Sequence, residues 1–120
     1  MTVVNLINVA TITPVMAAGA VTTSRAAIVD VAADKVAKIN SLIIANIDGS
    51  NAADITVEVS VDNGSNYVAI AKTISVPADA TLVVVGKDNG FYLDETDILA
   101  VTASAASDLT YLVSYELMTD

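Results

Sequence analysis

The chain has 120 residues, a length typical of a single domain. Its 14 acidic residues against 5 basic ones give a formal net charge of −9, which argues against binding to nucleic-acid phosphates or to an anionic membrane surface. The sequence holds no His and no Cys, which excludes the commonest general base near neutral pH and all thiol-based chemistry. Apolar residues make up 54% of the chain but aromatic residues only 4%, which favours a thin core between two packed sheets.

The N-terminal 23 residues alternate only weakly between apolar and polar side chains, and Pro14 and Gly19 interrupt the pattern. We interpret residues 1–23 as an extended arm with one strand over residues 3–13, lying either on its own domain or against a neighbouring subunit. A secretion signal begins with basic residues, and none precedes Arg25, so the segment is not expected to be such a signal.

Four extended segments follow. Residues 24–33 and 35–47 each predict a strand, and the second has a middle that is apolar on both faces, which places it centrally in a sheet. Residues 55–61 alternate strictly, as expected for a strand with one buried and one solvated face. Asp62-Asn63-Gly64-Ser65 predicts a tight hairpin, because Asn-Gly tolerates positive φ, and residues 67–76 then form the return strand.

The remainder of the chain predicts shorter strands separated by turns. Residues 81–85 form a strongly apolar strand, residues 91–93 a short extended piece and residues 98–104 an alternating strand. The last strand, residues 109–117, places on one face Leu109, Tyr111, Val113, Tyr115 and Leu117.

About eight strands at intervals of roughly 8–12 residues, with turn signals between them, predict an all-β fold. We expect an antiparallel two-sheet sandwich, of jelly-roll or immunoglobulin-like topology, over residues 24–120, with the extended N-terminal arm in front of it. No long segment has the apolar periodicity of a helix.

Few residues are candidates for catalysis or metal binding. Asp94, Glu95 and Asp97 are close enough in sequence to bind Ca²⁺, but their spacing fits no EF-hand, and a solvated loop is the preferred interpretation. Glu58 and Glu116 are expected on solvent-facing strand positions, and not across one cleft as a glycosidase requires. A serine nucleophile would lack an activating His. We therefore predict no catalytic, cofactor-binding or metal-binding residue and a protein that is not an enzyme.

One long stretch carries a family resemblance. Residues 57–67 read VEVSVDNGSNY, residues 76–104 read VPADATLVVVGKDNGFYLDETDILAVTAS, and the closing strand contains Val113-Ser114-Tyr115-Glu116. Over about residues 42–116 this pattern resembles small β-rich virion proteins of tailed bacteriophages, which include capsid decoration proteins, tail or neck components and fibre modules.

The resemblance implies a capsid decoration (cement) protein that binds the major capsid protein, stabilises the shell, is located in the virion after assembly in the host cytoplasm, and forms a homo-oligomer. Alternatives are a tail, neck or fibre component and a host-surface or carbohydrate-binding β-module. The partner is then another virion protein, with neither nucleic acid nor membrane as a partner. The residues expected to contact it are Val3, Val4, Leu6, Ile7, Ile12, Val15, Met16, Asn63, Tyr67, Phe91 and Tyr92.

Overall fold

The computed structural model describes residues 9–119. They form strands connected by turns and one short 3₁₀ turn at Lys87–Asn89. The strands are β1 (Thr11–Ala20), β2 (Ala26–Asp30), β3 (Lys35–Asn46), β4 (Ala53–Ser60), β5 (Val68–Val76), β6 (Thr81–Val85), β7 (Phe91–Leu93), β8 (Ile98–Ala103) and β9 (Leu109–Thr119).

Two antiparallel sheets pack against each other. The five-stranded sheet has the order β1-β9-β3-β6, with the short β7 also pairing with β3, and the four-stranded sheet has the order β2-β8-β4-β5. Consecutive strands lie in different sheets except for β4–β5 and β6–β7, which is the strand order of a jelly roll with β7 added. The predicted two-sheet antiparallel sandwich is confirmed, and of the two expected topologies the chain adopts the jelly roll.

The core is built from the inward faces of the two central strands of each sheet. Ile39, Leu42 and Ile44 of β3 are fully buried, as are Ile55 and Val57 of β4. β3 is flanked by β9 on one side and by β6 and β7 on the other, which confirms its predicted central place. The side chains are small to medium in size, consistent with a thin sandwich core.

β1 lies within the segment interpreted as an arm. All ten of its residues pair with β9, from Thr11 opposite Thr119 to Ala20 opposite Thr110. Pro14 and Gly19 were expected to interrupt the segment, but the strand runs through both. An edge strand tolerates Pro, since one side of it makes no ladder hydrogen bonds. Gly19 lies beneath Tyr111, whose Cε1 would be 3.3 Å from a Cβ at that position. The boundary at residue 23 stays a prediction.

The hairpin between β4 and β5 has the predicted turn. Asn63 and Gly64 both have positive φ, 58° and 87°, and the Ser65 N–H donates to the Asp62 carbonyl oxygen at 3.3 Å. The Asp62 carboxylate accepts hydrogen bonds from the backbone and the side chain of Asn66 and from the Ser60 hydroxyl, and these bonds lower the pKa of Asp62.

Candidate interaction surfaces

The outer face of the five-stranded sheet carries a band without charged side chains. Its central row crosses four strands in register: Ala18 on β1 lies opposite Leu112 on β9, which lies opposite Ile43 on β3, which lies opposite Val83 on β6. A row of Met16, Ser114 and Ser41 adjoins it on one side, and a row of Ala20, Thr110, Ala45 and Thr81 on the other. We call these three rows the uncharged face.

The uncharged face is accessible to a partner. Met16 is 67% exposed and Val83 59% exposed, and Leu112 and Ile43 are partly buried. A depression of about 480 Å³ lies over the central row and the Ala45–Thr81 side of it. Contiguous exposed apolar surface on an acidic chain is typical of an interface between proteins.

Charged residues flank the uncharged face along the strands, two lysines together with one glutamate at one end and carboxylates at the other. At one end, Lys38 and Glu116 pair in register and line a cleft together with Lys87. At the other end lie Asp48 and Asp108. The Asp108 carbonyl oxygen accepts a hydrogen bond from Ile47 N–H.

Asp79 joins these two carboxylates at the acidic end. Its N–H donates to the Asp48 carbonyl oxygen at 3.1 Å. Partial removal from water and the neighbouring Asp48 carboxylate raise the pKa of Asp108, as expected where acidic groups crowd together.

A second surface is an apolar groove at the β5 edge of the sandwich, with a volume of about 340 Å³. Val61 and Val68 are 69% and 66% exposed, and Ile70 is 47% exposed. The residues that line it are Val59, Val61, Val68, Ile70 and Phe91. We call these five residues the apolar groove. The groove lies at the same end of the sandwich as Thr11. Ser60 of β4 pairs with Ile98 of β8, and Ile98 pairs with Asp30 at the end of β2. The chain then turns into β3, whose first residues lie at the same end as Thr11.

β5, which forms this edge of the sandwich, is an irregular edge strand. Its register with β4 shifts twice, and Thr73 has a positive φ of 48°. Such bulges, together with the exposed Lys72, discourage another strand from pairing along the whole edge. The side chains, rather than the backbone of β5, are therefore the accessible part of this surface.

Arg25 crosses the outer face of the four-stranded sheet. Its guanidinium donates to both carboxylate oxygens of Glu58, at 2.9 and 3.1 Å, and lies 4.0 Å from the ring centroid of Tyr67. Glu58 is paired in register with Ala100, which is fully buried, so the ion pair passes over a small residue of β8. The hydrogen bonds to Glu58 raise the pKa of Arg25. Tyr67, a predicted contact residue, is thus held in an internal interaction.

The predicted contact residues divide among several places. Val3, Val4, Leu6 and Ile7 lie outside the described residues. The residues of β1 point to different sides: Ile12 and Met16 lie on the outer face, and Val15 lies opposite Tyr115 on the inner face.

The loop residues are also separated. Asn63 forms the β4–β5 turn, Phe91 lines the apolar groove, and Tyr92 is 53% exposed with Lys38 Nζ 6.0 Å from its ring. Of the seven predicted contact residues that the structure describes, only Phe91 lies in the apolar groove and only Met16 lies on the uncharged face.

Sequence reasoning missed several exposed apolar side chains, Val83 among them. Val61, Val68 and Ile70 occupy positions whose alternation predicts a buried face. Whether the opposite sheet covers such a face depends on strand order, which alternation does not encode. The Arg25–Glu58 pair was likewise invisible, since 33 residues separate its partners.

The acidic turn after β7 is not a solvated loop. Glu95 is 3% exposed and Asp97 7% exposed. The Glu95 carboxylate accepts a hydrogen bond from Asp34 N–H at 2.8 Å, and the Asp97 carboxylate accepts one from Asp94 N–H at 2.9 Å. Burial raises the pKa of Asp97. The Glu95 carboxylate ties the β7–β8 turn to the β2–β3 turn, a long-range contact that the sequence did not indicate, whereas the Asp97 carboxylate closes its own turn.

Other candidate chemistry is dispersed. Glu58 and Glu116 belong to different sheets, and neither pairs with the other. Over residues 9–119, no group of three or more acidic side chains is arranged to hold a metal ion. The described strands and turns include no helix long and apolar enough to cross a membrane.

Comparison with known proteins supports the fold. No protein-family model matches the chain, and no curated protein matches it. A protein of Bacillus endospore appendages, described as a novel family of disulfide-linked pili, superposes with a TM-score of 0.53 at 15% identity, over 91% of this chain and 87% of that chain.

Two structures of a pentameric capsid protein from metagenomic phage sequences also align. Both superpose with a TM-score of 0.40 at 17% identity, over 96% of this chain. The alignments cover 67% and 62% of the capsid protein chains. The likeness to the appendage protein is a likeness of fold; the two capsid structures are too distant to support an assignment.

Proposed function

We propose that this chain is a non-enzymatic structural protein of a phage virion, a capsid decoration protein that binds the major capsid protein and stabilises the shell. The observation that carries the proposal is the apolar groove, where Val61 and Val68 are more than 60% exposed on a chain of net charge −9. Exposed apolar side chains at one end of a rigid sandwich are the features that attachment to a larger protein surface requires.

The sequence resemblance over residues 42–116 supports the virion assignment. The segment includes the β4–β5 hairpin and the strands around the apolar groove, so the resembling part and the proposed attachment surface coincide. Residues 1–8 contribute further apolar side chains, Val3, Val4, Leu6 and Ile7, which we propose as additional contacts.

The test is co-sedimentation with expanded shells of the phage that encodes this chain, prepared without the chain. Saturable binding at a fixed ratio to the major capsid protein is the expected result. The double substitution Val61→Thr with Val68→Thr keeps β-branched side chains but removes apolar contact area, and we expect it to weaken binding roughly tenfold. Ile47→Thr is the matched control, because Ile47 is 62% exposed and lies outside the groove.

Removing residues 2–8 tests the arm without disturbing β1, whereas a truncation at residue 23 would delete a strand that pairs along its full length with β9. Weaker shell binding by the short truncation supports an arm contact. No co-sedimentation of the intact chain, with closed rings or filaments formed by the chain alone, would instead favour the tail, neck or fibre alternative.

A carbohydrate- or host-surface-binding module is the remaining alternative. The exposed aromatic side chain available to stack on a sugar in the described residues is Tyr92, and the apolar groove offers aliphatic side chains instead. Retention of the chain on immobilised polysaccharide, abolished by Tyr92→Ala, would favour this alternative over the decoration protein.

A further inference from the structure

We propose that the uncharged face is a self-association surface, on which a second copy of this chain packs face to face about a twofold axis along the row Ala18–Leu112–Ile43–Val83. This dimer does not depend on the proposed attachment to a shell, because it uses the opposite sheet from the β4 and β5 side chains of the apolar groove. Either proposal can fail while the other stands.

The symmetry follows from the charges at the two ends of the face. A twofold axis parallel to the strands would place the lysine end of each copy over the lysine end of its partner. An axis along the central row reverses the strand direction and places each lysine end over the carboxylate end of the other copy. Coulomb attraction and repulsion between these ends favour the second arrangement.

The register makes this pairing specific. Lys38 lies two rows from Ile43 on β3, and Ile47 lies two rows from Ile43 in the other direction, with the turn at Asp48 directly after it. Rotation about the central row therefore brings Lys38 over Ile47 and beside Asp48 of the second copy. On β6, Lys87 lies beyond Val83 on the lysine side and Asp79 lies two rows from Val83 on the carboxylate side, so Lys87 of one copy faces Asp79 of the other. Asp88, next to Lys87 in the chain, partly offsets this attraction.

One pair in this arrangement is repulsive, which sharpens the test. Glu116 lies two rows from Leu112 on β9 and Asp108 lies just before that strand, so Glu116 of one copy faces Asp108 of the other. Removing this repulsion must strengthen the dimer if the axis is as proposed. Two chains of net charge −9 repel each other less after any acid-to-lysine substitution, so Asp30→Lys, at an exposed position on β2 of the other sheet, is the matched control and should strengthen the dimer less than Glu116→Lys.

The area indicates a reversible dimer. With strands ~4.8 Å apart and a two-residue repeat of ~6.8 Å, five rows across four strands cover on the order of 500 Å² per copy. Stable interfaces bury about 800 Å² per partner, so we expect monomer and dimer to exchange with concentration. The absence of charge in the central three rows keeps the desolvation cost low.

The first measurement is sedimentation velocity of the intact chain from roughly 1 to 500 µM. The mass is expected to rise from 12.3 kDa towards twice that value. Val83→Asp places two carboxylates together on the axis and should weaken dimerisation at least about tenfold. Val68→Asp, at a similarly exposed site in the apolar groove, should leave the dimer unchanged. A chain that stays monomeric throughout overturns the proposal.

The second measurement tests the axis. Glu116→Lys should tighten the dimer roughly threefold and Lys87→Glu should weaken it by a similar factor, both effects fading at high salt. Since the chain has no Cys, Leu112→Cys introduces a single thiol on the axis. Face-packed sheets are about 10 Å apart, too far for a disulfide, so a short bismaleimide is the appropriate crosslinker.

Crosslinked dimers should form with Leu112→Cys and much less with Thr110→Cys, which lies one row away from the axis. The reverse order, or a gain with Lys87→Glu, would contradict the proposed symmetry. Circular dichroism of each variant separates a lost interface from a lost fold, and the exposure of Val83 and Lys87 makes misfolding of those two variants unexpected.

Discussion

At the scale of single residues, Gly64 shows how one backbone angle fixes the β4–β5 hairpin. Its φ of 87° lies in the left-handed region, which costs an L-residue about 1 kcal/mol. Gly64→Ala should lower the free energy of unfolding by about that amount, because a new Cβ would meet Ile98 Cδ1 only at an ordinary 3.5 Å. Urea unfolding measures the change. Gly49→Ala, at an exposed position without a positive φ, is the control, and an equal loss there would contradict the argument.

Asp97 predicts a pH effect of defined sign. Burial raises its pKa above the ordinary 3.8, so the folded chain binds the proton more tightly than the unfolded chain does. Its contribution to stability is therefore fully present below about pH 3.8 and is lost as the pH rises through the folded pKa. Asp97→Asn keeps an oxygen for Asp94 N–H and removes the titration. The stability of the native chain relative to this variant should fall as the pH rises from about 3.8 towards neutrality.

Thermal unfolding of both proteins across this pH range checks the prediction. Asp62, whose pKa is lowered, acts in the opposite direction, and its contribution is lost as the pH falls. Because Asp62 is present in both proteins, it cancels in the comparison. A difference between the two proteins that is constant with pH would show that Asp97 does not titrate as its burial requires.

At the scale of elements, Asn46 joins the two sheets where β3 ends. Its side-chain amide donates to the carbonyl oxygens of Asn51 and Val76, both at 2.9 Å, and its side-chain oxygen accepts from Asp48 N–H. The residue is 3% exposed. Asn46→Ala leaves three backbone groups without their partner, so we expect a loss of about 2–4 kcal/mol in unfolding free energy.

The measurement is chemical denaturation, with Asn40→Ala as the control. Asn40 donates a single side-chain hydrogen bond, to Glu116, and is only partly buried. Hydrogen exchange adds a local reading: the amides of Asp48 and of the following loop should lose protection first in Asn46→Ala. An equal effect of the two substitutions would mean that the three-way connection adds nothing beyond one ordinary hydrogen bond.

At the scale of the whole molecule, β1 determines how much of the N-terminal segment is part of the sandwich. Ten residues of β1 pair with β9, and Val21 donates its N–H to the Leu109 carbonyl oxygen. Deleting residues 2–8 should leave the thermal midpoint within a few degrees of the intact chain, since β1 remains whole. Deleting residues 1–23 should destabilise the fold strongly and expose the edge of β9 to aggregation.

Differential scanning calorimetry and light scattering compare the two truncations. Equal midpoints would mean that β1 contributes little to the sandwich and acts as an arm over its full length. A large loss on removing residues 2–8 alone would instead place a structural role in the residues before Val9.

The sequence by itself determined the fold class and most of the strands. Period-two alternation over residues 55–61 and 109–117 reports the side-chain direction in a strand, and Asn63-Gly64 specifies a turn through local backbone sterics. These signals act within a few residues of each other. They were sufficient for the two-sheet sandwich, the central place of β3 and the β4–β5 hairpin.

Only the tertiary structure decided the strand order, the exposed surfaces and the state of the buried acids. Ile55 and Val68 both occupy alternating apolar positions in the sequence. The opposite sheet covers Ile55, whereas Val68 is open to water. Asp97 lies in a run of polar residues, but packing against the β2–β3 turn buries it. The physical reason is that burial and charge pairing depend on contacts between residues far apart in the chain, which a local pattern does not specify.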